Sequence, residues 1–116
     1  MIDYHQTLTT ALAKILPTHH EMVLHSGLAT PCISYMETNN AQLTEPLGAT
    51  VGYSNITYQI KVWGNDIATI QKYAMQIDDA LRPLGFLRTS CNELHDPQST
   101  MMQKIMSYSV NAHEIY

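Results

Sequence analysis

The sequence predicts a single α+β domain over residues 1–116, a mainly antiparallel sheet of about five strands with two helices packed on it. Three observations lead there. Between residues 55 and 63, apolar Ile56, Tyr58, Ile60 and Val62 alternate with Asn55, Thr57, Gln59, Lys61 and Trp63. Period two is the mark of a strand with one buried face. From Ile67 to Leu81, apolar Ile67, Ile70, Ala74, Ile77 and Leu81 recur at steps of three and four, the spacing of an amphipathic helix. Shorter apolar runs bounded by turn-forming residues fill most of the rest, and the resulting order is α-β-β-β-α-β-β. A chain of 116 residues is of the commonest size for one domain and long enough to bury a core without disulfides.

The first element is a helix. Leu8, Leu12, Ile15 and Leu16 fall at helical spacing, Asp3 suits its N-cap, and Pro17 ends the pattern. Thr7, Thr9 and Thr10 lower its intrinsic propensity, so packing must hold it. His19-His20-Glu21 reads as a solvated loop, and Met22 to Ser26 as a short strand ending at Gly27. Pro31 opens a second strand, Cys32 to Glu37, with Cys32, Ser34 and Met36 on one side and Ile33 and Tyr35 on the other. Residues 38–50 read as a long polar connection. The strongest strand follows, Val51 to Trp63. Gly64-Asn65-Asp66 then turns the chain into the second helix, capped by Asn65 or Asp66 and closed by Pro83 and Gly85. Phe86 to Leu94 and Met101 to His113 complete the sheet, joined by a turn at His95-Asp96-Pro97-Gln98-Ser99.

Composition narrows the function classes. Charged residues make up only 14% of the chain, against about a quarter in typical domains. Charge repulsion keeps monomers apart, so a weakly charged surface suits a protein that works inside an assembly. The net charge of −4 and the absence of basic clusters speak against tight nucleic-acid binding, which needs several Lys or Arg to displace counterions. No apolar run reaches the ~20 residues of a membrane helix. The opening residues lack a basic and an apolar leader region, so synthesis in a cytoplasm is expected, with Cys32 and Cys91 as free, buried thiols.

Motifs for chemistry are scarce. The six histidines include none spaced H-x-x-x-H, and the neighbours His19 and His20 point apart in any regular element. Gly52-Tyr53-Ser54-Asn55-Ile56 lacks the closing glycine of a nucleophile elbow. Asp78 and Asp79 are adjacent on one helix, so they project differently and read as solvating its outer face. The five glycines are scattered rather than grouped into a phosphate loop. The expectation is a non-enzymatic protein with no catalytic residue, no cofactor and no metal site.

The pieces Pro31-Cys32-Ile33-Ser34-Tyr35, then Ser54 to Gly64, then a helix through Ile70, Ala74, Ile77, Asp78, Ala80 and Leu81, together resemble a known group. In order and spacing the chain is similar to the tail completion proteins of long-tailed bacteriophages, also described as tail terminators or tail-to-head joining proteins. Cys32 stands where that group more commonly has an aromatic residue. The resemblance implies a homo-oligomeric ring, usually a hexamer, that caps the tail tube in the neck of a virion assembled in the host cytoplasm. Such a ring stops tube polymerisation and joins the tail to the head connector. Its partners would be further copies of itself, the tail tube protein and the head-completion protein, with DNA passing through the lumen and no membrane.

Two surfaces are candidate interfaces. One is the polar, aromatic-bearing side of the central strand: Tyr53, Asn55, Thr57, Gln59, Lys61 and Trp63. The other is the 38–50 connection, with Thr38, Asn39, Asn40, Gln42, Leu43, Glu45 and Leu47. An aromatic, lightly charged face suits protein contact; a helix packed over it would remove it from play. The competing expectations are a small enzyme or ligand-binding domain with a pocket near His25, Tyr35 and Glu37, and a metal site built from His5, His19, His20, Glu21 and His25.

Overall fold

The computed structural model of the chain describes residues 4–21, 30–44, 51–95 and 101–115. Its elements are α1 (His5–Ala13), β1 (Thr18–His20), β2 (Cys32–Thr44), β3 (Val51–Gly64), α2 (Ile67–Leu81), β4 (Leu87–His95) and β5 (Met102–Ile115). The expected order α-β-β-β-α-β-β is therefore the observed one. The five strands form one sheet in the order β1-β2-β3-β5-β4. β1 runs parallel to β2, and every other neighbouring pair is antiparallel.

The core lies on one face of this sheet. Ile56, Tyr58, Ile60 and Val62 of β3 are fully buried. The ladder registers Ile33 of β2 with Val62, and Met106, Tyr108 and Val110 of β5 with Ile60, Tyr58 and Ile56. Both helices pack against that same face, α1 through Leu8 and Leu12, α2 through Ile70, Ala74, Ile77 and Leu81. Each large side chain so buried contributes about 1.5–3 kcal/mol of transfer free energy. That gain fixes which way the sheet faces. The alternating polar residues of β3 consequently lie away from both helices.

The two helices are held differently. α2 has a proper cap, since the Asp66 carboxylate accepts from the Thr69 N–H at 3.1 Å. It ends in a turn of 3₁₀ helix (Arg82–Leu84), after which Gly85 takes φ 91° and redirects the chain into the buried Phe86. α1 has no side-chain cap; Tyr4, not Asp3, is its N-cap residue, and Asp3 lies outside the described residues. Thr9 bonds back to the His5 carbonyl at 2.8 Å rather than supporting the helix start. Packing of Leu8 and Leu12 is what keeps α1 in place. Where β3 meets α2 the backbones come close: a Cβ on Gly64 would sit 2.8 Å from Ile70 Cγ2.

Several expectations need correction. β2 does not stop at Glu37 but runs to Thr44, so residues 38–44 are strand rather than loop. A bulge between Glu37 and Asn39 restarts the ladder, which then pairs Asn39–Thr44 with Gly52–Thr57. His19 and His20 belong to β1, not to a loop, because parallel pairing with Ser34 and Tyr35 recruits them. Ile67 is 53% exposed, so the buried stripe of α2 begins three residues later, at Ile70. Cys91 is exposed, because β4 is an edge strand; Cys32 is buried as expected. The expected strand at 22–26, residues 45–50 of the expected connection, and residues 96–99 of the last turn lie outside the described residues.

Candidate interaction surface

The face of the sheet turned away from the helices carries Asn55, Thr57, Gln59, Lys61 and Trp63 from β3, all half-buried. Beside them, by register, stand Ser34 and Met36 of β2 and Gln103, Ile105, Ser107 and Ser109 of β5. Much of its polar chemistry is internal. The Asn55 amide donates to Ser109 Oγ at 2.9 Å and to Asn111 Oδ1 at 2.8 Å, bridging β3 and β5. Thr38 Oγ1 donates to the Thr57 carbonyl at 3.2 Å, stitching the bulge to β3.

The Lys61–Trp63 corner is also tied down. Trp63 Nε1 donates to the buried Ser34 Oγ at 2.9 Å. Lys61 Nζ lies 5.8 Å from the Trp63 ring centroid and pairs with Glu21 beyond β1. These bonds hold the two most reactive-looking residues of the face in fixed positions. They orient the surface. Gln103 Oε1, next to Trp63 in register, is sheltered and has no hydrogen-bond partner among the described residues.

Of the other predicted contact residues, Asn39 and Thr38 are exposed and Asn40 donates to Glu37 Oε1 at 3.3 Å. Gln42, Leu43 and Tyr53 are placed by register alone, Gln42 against Ser54 and Leu43 against Tyr53. Glu45 and Leu47 lie outside the described residues. The structure thus turns the two expected contact surfaces into neighbours: the 38–44 stretch is the outer continuation of the sheet whose centre is β3.

Sequence reasoning missed a third surface, the far edge of the sheet. All nine residues of β4 are exposed, with Leu87 at 68% and Leu94 at 52%. Among the described residues β4 pairs with β5 alone. Beside it, a groove of about 450 Å³ runs between α2 and the β4–β5 pair, lined among others by Met75, Asp78, Arg82, Arg88, Cys91 and Met106. Asp78 anchors this groove. It accepts from the Tyr108 hydroxyl at 3.1 Å and from Arg82 at 2.5 Å, and faces Arg88 at 3.7 Å. Burial, then the Asp78 charge and hydrogen bond, push the Tyr108 hydroxyl well above the usual tyrosine range. Asp78 is therefore a partly sheltered structural carboxylate, not the solvated residue its sequence neighbourhood predicts, while Asp79 stays exposed. The signal for the edge was present as Leu87 and Leu94, which fit no clean alternation.

The histidine and pocket expectations find other uses. His5 packs edge-on against Tyr35 and Tyr58, with centroids 5.9 and 5.5 Å apart, and His20 packs against Tyr35 at 5.3 Å. These rings extend the core past the end of α1. Among the described residues no three His, Cys, Asp or Glu side chains converge on one point; His25 lies outside them. Among the same residues no helix is long and apolar enough to cross a membrane.

No family model matches the chain, and no curated protein matches it. Among solved structures the chain is similar to one from the virion of a native gene transfer agent particle, with a TM-score of 0.69 and 13% sequence identity. The match covers 92% of this chain and 84% of that one, so the likeness is one of whole fold.

Proposed function

We propose that this chain is a structural assembly protein of a phage-like virion, forming a ring that caps the tail tube, ends tube growth and joins the tail to the head connector. The observation that carries this reading is the whole-chain fold likeness to a component of a gene transfer agent virion. It agrees with the resemblance to tail completion proteins read from the sequence. The surface chemistry supports it as well. A low-charge, hydrogen-bonded sheet face and an exposed edge strand offer broad contact area without a convergent reactive site. A net charge of −4 on each copy keeps a lumen from gripping DNA that must slide through it.

The ring would be built from about six copies, as the resemblance implies. Its neighbours would be the tail tube protein on one side and the head-completion protein on the other. Reconstitution tests this directly. Purified chain is added to growing tail tubes, and tube length and ends are imaged by electron microscopy. Shortened tubes with a density cap support the reading. Tubes that grow unaltered, with no protein at their ends, overturn it.

A further inference from the structure

We infer that two copies of this chain pair edge to edge through β4, antiparallel about a two-fold axis that passes at Cys91. A two-fold contact joins two copies only, so this pairing is separate from the contacts that would close the proposed ring and does not rest on them. It follows from a property of β4 itself: the strand is complementary to its own reversed copy.

The ladder with β5 sets the register. Arg88 pairs with Tyr108 and Ser90 with the adjacent Ser107, so Thr89 is the extra residue of a bulge. With Thr89 outside the ladder, three positions lie on each side of Cys91: Ser90, Arg88 and Leu87 before it, Asn92, Glu93 and Leu94 after it. Turning a second β4 about that centre sets Leu87 against Leu94, Arg88 against Glu93, Ser90 against Asn92 and Cys91 against itself.

These pairs agree in face. Arg88, Cys91 and Glu93 stand opposite Tyr108, Met106 and Lys104, on the helix-bearing side of the sheet. Leu87, Ser90, Asn92 and Leu94 stand opposite Ser109, Ser107, Ile105 and Gln103, on the other side. Antiparallel neighbours share a face, as each pair here does. A register shifted by one position sets each residue against one of the opposite face. A register shifted by two keeps the faces but parts Leu87 from Leu94 and Arg88 from Glu93.

The partners also match chemically. Leu87 and Leu94, both exposed in the single copy, would cover each other on both sides of the axis. Arg88 and Glu93 would form two pairs of opposite charge. Within one copy Arg88 faces Asp78 at 3.7 Å and Glu93 accepts from Lys104 through Oε1 at 2.7 Å, and both side chains are half-exposed. A guanidinium has five N–H donors and a carboxylate two oxygens, so each can serve a second partner. Charges on an edge strand usually discourage pairing. Here they are opposite in sign and equally far from the centre, so the edge attracts its own copy. All nine residues of β4 are exposed, and among the described residues β5 alone lies alongside it.

Charge reversal in the full chain, without tubes, tests this. Arg88→Glu sets two acidic pairs across the axis and Glu93→Arg two basic ones, while an equal mixture of the two variants restores opposite charges at both places. Sedimentation should show dimers for the wild type, about tenfold weaker pairing for each variant alone, and recovery in the mixture. A wild-type chain that stays monomeric at every concentration, or a mixture that pairs no better than its components, overturns the inference. Where a variant fails to fold, cross-linking carries the same test. Diamide takes two electrons and two protons from two thiols and leaves them joined as a disulfide. Opposite residues stand about 4.5–5.5 Å apart at Cα, within disulfide reach, and diagonal ones about 7–8 Å. Cys91 should therefore link two copies, whereas Ser90→Cys in a Cys91→Ser background should not, because position 90 meets position 92. Cys32 is buried and stays out of the reaction. No linking through Cys91, or equal linking through position 90, overturns the pairing. Tube capping is a separate readout: a chain that pairs but leaves tubes uncapped keeps the pairing and loses the ring.

Discussion

β3 and β4 both pair antiparallel with β5, yet they meet different surroundings. β3 lies between two strands and under two helices, and its inward residues from Ile56 to Val62 are fully buried. Among the described residues β4 has one neighbour, and none of its nine residues is buried. The same backbone conformation thus builds the core in the middle of the sheet and an exposed strand at its edge. Position in the sheet, not strand propensity, decides which. Core strands acquire a strict alternation because packing selects every second residue. β4 carries no such pattern, and each of its side chains is exposed.

The largest expected effect lies on the core side of this comparison. Phe86 is 1% exposed and packs edge-on against Tyr4 at 5.9 Å. Phe86→Ala should destabilise the fold by about 3–5 kcal/mol in urea unfolding. Next comes the sheltered hydrogen bond under α2. Tyr108→Phe should cost about 1.5–3 kcal/mol, since it removes a bond to a charged acceptor. Its pH dependence has a definite sign. The folded pKa of Tyr108 is raised, so its contribution is complete below the unfolded value of about 10 and is lost as pH climbs towards the folded one. Melting curves of wild type and Tyr108→Phe should therefore converge above that value.

Gly64→Ala should cost about 1–3 kcal/mol, because the new methyl meets Ile70 of α2 and one of them must shift. At the edge the effect should vanish from folding and reappear in association. Leu94→Lys should change unfolding free energy by less than about 0.5 kcal/mol. In sedimentation or light scattering it should weaken self-assembly. A Leu94→Lys variant as unstable as Phe86→Ala would break the comparison. One that is stable but no longer assembles would sharpen it.

The candidate surface was only half legible beforehand. The polar side of β3 followed from Asn55, Thr57, Gln59, Lys61 and Trp63 standing between buried residues. Which side the helices cover did not follow, since both patterns are compatible with the same alternation. Residues 38–44, Thr-Asn-Asn-Ala-Gln-Leu-Thr, carry little apolar period and read as loop. They become strand because β3 offers them a backbone ladder. β1 was missed for a similar reason: its residues, Thr-His-His, have no local signal and are held by β2. Asp78 looked solvated because its partner Tyr108 lies thirty residues away.

What the sequence determined by itself is what neighbours a few residues apart can encode. The periodic stripe of α2, a cap at Asn65 or Asp66, the closure at Gly85 and the two faces of β3 all rest on local spacing and local hydrogen bonds, and the structure settles the cap on Asp66. Only the tertiary structure decided that β4 is an edge, that β2 runs on to Thr44, and that both helices share one face. Those outcomes depend on which distant backbone groups and apolar surfaces meet, and no single segment carries that information.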